Sequence, residues 1–156
     1  MGGSLMSGWS NSKNYTISVI DKKKYAILKK RNRNKKIKFF KSINDINDQN
    51  NFDFIIFATR PLELTNVFKE LKNVNFNKKS IAISVIAGKK TEIFRNNLLN
   101  INKIVRVMPN MPALIGEGVH CIYTNKSINK TEIKEIDKLF SLSGKTLFFD
   151  SETFID

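Results

Sequence analysis

The chain has 156 residues, 41% of them hydrophobic, which suits one domain, residues 1–156, with a core of its own. Lys and Arg number 27 against 14 Asp and Glu, a net charge of +13, and the single Cys121 excludes a disulfide scaffold or a cysteine metal cluster. No apolar run reaches the roughly 18 residues of a membrane span, and Met1–Trp9 lacks the basic start and long apolar stretch of a secretory signal. The expected class is a reduced, soluble, cytoplasmic globular protein with no membrane partner.

Met1-Gly2-Gly3-Ser4, followed by Leu5, Met6 and Trp9, reads as the opening of an apolar helix with small residues in its first turn. Tyr15–Ile20 is β-rich and ends at Asp21, Lys22–Arg31 reads as a short basic helix, and Ile37–Phe40 as a short strand. Phe52–Ala58 is a near-continuous apolar run, the pattern of a strand buried on both faces. Pro61 suits a helix start, and Leu62, Val67, Phe68 and Leu71 give that helix an apolar face. Ser80–Ala87 is a second buried strand closed by Gly88. Thr91 is placed to cap a helix carrying Ile93, Phe94, Leu98 and Leu99, and Lys103–Met108 is a third strand stopped by Pro109. Gly118–Thr124 is a further strand that takes in His120 and Cys121 as packing residues. Thr131–Leu142 is a helix with Ile133, Ile136, Leu139 and Phe140 inward, and Lys145–Phe149 is a last strand. Strands alternating with helices at this spacing make a doubly wound α/β domain with a mostly parallel sheet.

The densest basic cluster, Lys29–Lys38, reads chiefly as a solvated surface, with a nucleic-acid partner as the lesser alternative. Phe39 and Phe40 beside it fit a strand better than a base-stacking platform.

In doubly wound sheets ligands bind at the carboxyl ends of the strands. The residues that follow the strands here are Asp21 with Lys22–Lys24, Thr59-Arg60-Pro61, Ala87-Gly88 and Pro109-Asn110-Met111-Pro112. Each has a plain structural reading as a cap, a turn or a helix start. As a row they offer a basic residue, a small glycine turn and an Asn between prolines, which suits an extended phosphate-bearing ligand.

The segment Ile104–Glu117 (IVRVMPNMPALIGE), continuing to Gly118, resembles the most recognisable stretch of pyrroline-5-carboxylate reductases. MGGSLMSGW, DFIIFATRP, ISVIAG and SGKTLFFDSETFID resemble that family's first helix, two of its cofactor turns and the passage into its second domain, in order. The resemblance implies a Rossmann-like domain and an enzyme that passes hydride from NADPH or NADH to the imine carbon of 1-pyrroline-5-carboxylate, giving L-proline. It places Met1, Gly2 and Gly3 near the cofactor pyrophosphate and Ala58, Thr59, Arg60 and Pro61 beneath the cofactor, with Arg60 where the family usually has Lys. It also places Ala87 and Gly88 beside the nicotinamide half, Pro109 and Asn110 around its pocket, and Asn44 at the adenosine end. Such chemistry needs positioning rather than a side-chain acid or base, because the cofactor carries the hydride.

Two family features have no counterpart in the sequence. The first strand with its two leading glycines would precede Met1, and the helical domain that forms family homo-oligomers and holds substrate would follow Asp156. The expectation is a cofactor domain cut at both ends, with the first strand missing and no turnover on its own; an inactive Rossmann fragment is the alternative. Tyr15–Ile20 and Phe54–Ala58 should then flank a vacant lane instead of pairing with each other. For the cofactor, Asp21 favours the free ribose of NADH and Lys22–Lys24 the 2′-phosphate of NADPH; three cations against one carboxylate favour NADPH (the NADP form).

Overall fold

The computed structural model describes residues 1–32, 36–47 and 51–155, so Arg33, Asn34 and Lys35 of the basic cluster and the terminal Asp156 lie outside the described residues. Helix α1 (Gly2–Ser10) comes first, then β1 (Ile17–Ile20), α2 (Tyr25–Arg31), β2 (Ile37–Phe40), β3 (Phe54–Phe57) and α3 (Leu64–Leu71). They are followed by β4 (Ile81–Ser84), α4 (Thr91–Asn97), β5 (Lys103–Pro109), β6 (Gly118–Thr124), α5 (Lys130–Ser141) and β7 (Gly144–Phe149). Short 3-10 turns cover Ile43–Asp45, Pro61–Glu63, Met111–Ile115 and Glu152–Ile155. None of the described helices is long and apolar enough to cross a membrane.

The strands form a five-stranded sheet in the order β3-β4-β5-β6-β7 and a separate pair, β1-β2. All pairings are parallel except β5 with β6. Helices cover both faces. On one side Leu5 and Trp9 of α1 and Ile136, Leu139 and Phe140 of α5 pack with Ile83, Val105 and Ile122 of the sheet. On the other, Leu64 and Phe68 of α3 and Phe94 of α4 pack with Phe57, Ala82 and Ile104. Two cores on opposite faces of one sheet define a doubly wound α/β fold.

β1 pairs with β2, β3 pairs with β4, and among the described residues β1 and β3 do not pair with each other. Both strands still serve the same core, since Ile17 of β1 and Ile56 of β3 pack against the cluster built on Leu5 and Trp9. The open edge explains one departure from expectation. Phe54, Ile55 and Ile56 are only half-buried, whereas all of Ile81–Ser84, paired on both sides, is buried.

Three local expectations need correction. Leu62 does not face the core: Pro61 opens a 3-10 turn first, which rotates the register so that Leu64 points inward and Leu62 is 94% exposed. Helix α4 ends at Asn97, leaving Leu99 exposed, and its N-cap is Lys90, with Thr91 the first helical residue. Helix α2 begins at Tyr25, because Asp21 Oδ1 accepts hydrogen bonds from the Lys23 and Lys24 amides and holds the intervening residues in a turn.

Candidate cofactor site

The carboxyl ends of β1, β3, β4 and β5 bring most of the predicted site residues to one edge of the fold, with the start of α1 beside them. Gly2 opens α1, and a Cβ placed on it would lie 2.9 Å from Ala58 Cβ at the end of β3. Only a glycine lets the two segments approach so closely. Gly2 therefore stands against Ala58 at the start of the Ala58–Pro61 turn, where the first N–H groups of a nine-residue helix, flanked by Met1 and Gly3, have no intrahelical acceptor.

Within that turn Thr59 Oγ1 is buried and has no hydrogen-bond partner among the described residues. Buried hydroxyls are nearly always satisfied in folded proteins, so an orphaned one points to a missing acceptor or donor. Arg60 follows, exposed and extended, as the residue that precedes Pro61.

The turn after β4 carries Ala87 and Gly88, both exposed. Gly88 has φ +66°, a left-handed conformation that side chains disfavour, and the space beside it is open to 4 Å. Pro109 ends β5 in a buried position, and the Asn110 Oδ1 accepts the Val119 amide at 2.9 Å, tying the β5 turn to the start of β6. Asn44 lies beyond β2, exposed in a 3-10 turn capped by Ser42. Its own amide donates to Ser42 Oγ, and no hydrogen bond among the described residues ties it to the other predicted site residues.

The charges at this edge are more committed than the sequence suggests. The Asp21 carboxylate accepts two backbone amides through Oδ1. Lys23 Nζ lies 2.5 Å from Glu63 Oε1, and Lys22 Nζ lies 3.9 Å from Glu70. The Lys23 hydrogen bond and charge hold the Glu63 carboxyl below its ordinary value, with Arg60 adding to the effect. Glu63 was absent from the expected site. Nothing in its sequence neighbourhood marks it, since its partner is 40 residues away.

No family model matches the chain. A pyrroline-5-carboxylate reductase of Haemophilus influenzae is 30% identical over 121 residues, covering 74% of this chain and 44% of the relative. The solved pyrroline-5-carboxylate reductase of Coxiella burnetii superposes with a TM-score of 0.83 at 21% identity, over 99% of this chain and 57% of that one. The Plasmodium falciparum pyrroline carboxylate reductase, solved with NADP bound, gives a TM-score of 0.76 at 24% identity, over 99% of this chain and 55% of that one. The chain is thus similar in sequence to pyrroline-5-carboxylate reductases and shares the fold of solved members, and it spans less than half the length of the curated relative to which it is 30% identical.

Proposed function

We propose that this chain forms the cofactor-binding part of a cytoplasmic reductase that uses NADPH in preference to NADH and acts on the C=N bond of 1-pyrroline-5-carboxylate to give L-proline. The observation that carries the reading is the orphaned Thr59 Oγ1, set one residue from the close approach of Gly2 to Ala58. A hydroxyl wanting a partner, beside the open amides of a helix start, fits an anionic ligand such as a pyrophosphate. Homo-oligomerisation is part of the same reading and follows from the resemblance to the family.

The bound nicotinamide supplies the hydride. The chain's own residues bind and orient. Gly2 and Gly3 present backbone N–H groups with no side chain in the way, joined by Met1 at the same helix start. Ala58, Thr59, Arg60 and Pro61 form a turn that adds one hydroxyl and one cation. Ala87 and the left-handed Gly88 leave room on the nicotinamide side, and Pro109 with Asn110 closes it, Asn110 being held by Val119. Asn44, farther along the edge, is assigned to the adenosine end.

The test is a titration of the 156-residue chain with NADPH and NADH, followed by nicotinamide fluorescence. Saturable binding, tighter for NADPH, supports the reading. Failure of both dinucleotides to bind overturns it. Binding of nucleic acid in their place, falling steeply with salt, would move the +13 charge to the other interpretation.

A further inference from the structure

The turn that carries Ala87 and Gly88 is exposed, yet both of its ends are anchored in buried polar structure. At the β4 end the buried Ser84 Oγ accepts the Ile86 amide at 3.3 Å. At the α4 end the anchor comes from 61 residues away. Glu152 Oε1 accepts the Thr91 amide at 2.7 Å, and Oε2 accepts the Thr91 hydroxyl at 3.0 Å. The same carboxylate meets Arg106 Nη1 at 3.5 Å, and the Arg106 side chain is completely buried. Arg106 in turn sits opposite Ser84 across the β4–β5 ladder.

The arrangement has a clear electrostatic logic. A carboxylate at a helix start meets unpaired amides and the positive end of the backbone dipoles. A fully buried guanidinium beside it strengthens that hold, because charges largely withdrawn from solvent attract more strongly. Lys90, the N-cap residue of α4, makes no side-chain cap of its own, so Glu152 does what a capping side chain would do.

We propose that Glu152 is a positioning residue: by gripping Thr91 it fixes the C-terminal end of the Gly88 turn and so sets the shape of the nicotinamide side of the site. The role in cofactor binding rests on the function proposed above. The grip on the turn does not.

The experiment compares the wild-type chain with Glu152→Ala, Glu152→Gln and Thr91→Val. Backbone hydrogen exchange is read for residues 85–93 and, as an internal control, for α5, and NADPH affinity is measured alongside. Glu152→Ala is expected to speed exchange in the turn about tenfold and to weaken NADPH by about the same factor, with α5 unchanged. Glu152→Gln keeps an acceptor for the Thr91 amide and restores most of both effects. Thr91→Val removes one of the two Thr91 bonds and gives an intermediate result, which serves if Glu152→Ala does not fold. Exchange that is unaltered in the turn, or that rises equally in α5, overturns the proposal. So does faster exchange in the turn with NADPH affinity equal to wild type. If the wild-type chain binds no NADPH, the proposed function falls, and the exchange data alone decide whether Glu152 holds the turn.

Discussion

Gly2 and Ala58 meet where α1 begins and β3 ends, with only 2.9 Å between Ala58 Cβ and the place a Gly2 side chain would occupy. Helix α1 cannot retreat as a unit, because Leu5 is fully buried and the Trp9 indole N–H donates to the Leu139 carbonyl at 2.9 Å. Its first turn must therefore lift. Gly2→Ala is expected to cost about 1–2 kcal/mol of stability and to weaken NADPH at least tenfold. Combining it with Ala58→Gly removes the clash and should restore both. Thermal melts and a NADPH titration of the three variants check this, and a Gly2→Ala chain that binds as wild type would refute the site.

Arg60 is the cation of the β3 turn. It is exposed, so reversing its charge should leave stability within about 0.5 kcal/mol of wild type. Arg60→Glu would nevertheless present a carboxylate to the cofactor phosphates beside Glu63, whose carboxyl is held below its ordinary value by Lys23. Loss of NADPH binding with an unchanged melt is the expected pair of results. Unchanged affinity would remove Arg60 from the site.

Much of this fold was legible because periodicity is local. The bounds expected for β2 and β6 coincide with those observed, and α5 differs by one residue at either end. The row of site residues was legible for a topological reason, since ligands sit where parallel strands end. Contacts between distant segments were not. Lys23 with Glu63 and Thr91 with Glu152 join residues 40 and 61 positions apart, and no spacing in the sequence announces either pair. Asp21 was legible as an acid after a strand, but its use as a turn cap depends on the backbone path of Lys23 and Lys24.

The Lys23–Glu63 pair bears on cofactor choice. While Glu63 holds Lys23, a 2′-phosphate must compete for that ammonium. Glu63→Gln removes the competing charge, and the preference for NADPH over NADH should rise by roughly two- to five-fold, the scale of an exposed ion pair. Parallel titrations of both dinucleotides measure the ratio. A ratio that stays constant would show that Lys23 takes no part in the choice.

Gly88 tests the nicotinamide side. Among the described residues beyond its chain neighbours no atom lies within 4 Å of a Gly88 Cβ position, so Gly88→Ala introduces no clash with them and its cost is conformational, about 1–2 kcal/mol for a side chain held at φ +66°. The turn is expected to relax toward negative φ, lowering NADPH affinity more than it lowers the melting temperature. Equal, small effects on both would place Gly88 outside the site.

His120 is expected to make stability fall with acid. Its ring is fully buried, with Nε2 3.0 Å from Ser143 Oγ, and that hydroxyl already donates to the Phe140 carbonyl at 3.1 Å. With its one proton committed, Ser143 Oγ must accept from Nε2, which leaves Nδ1 bare and, among the described residues, without a partner. A second proton would have to enter apolar surroundings near the Phe140 ring. Burial accordingly pushes the His120 pKa below its ordinary 6.5, and a backbone interaction with Ser143 opposes this with smaller effect. The unfolded chain takes up the proton as pH falls through about 6.5, whereas the folded chain resists it until a lower pH. Stability is thus full above that value and declines as pH drops below it, until the folded-state value is passed. The two carboxyls with lowered values, Glu63 and Glu132, begin to add their own losses as pH falls through 4.5, so the first decline below 6.5 belongs to His120. The melting temperature of the wild-type chain should begin to fall as pH drops below 6.5. His120→Gln, which can still donate to Ser143, should stay flat over that range, and parallel slopes for the two proteins would mean that another group drives the acid transition.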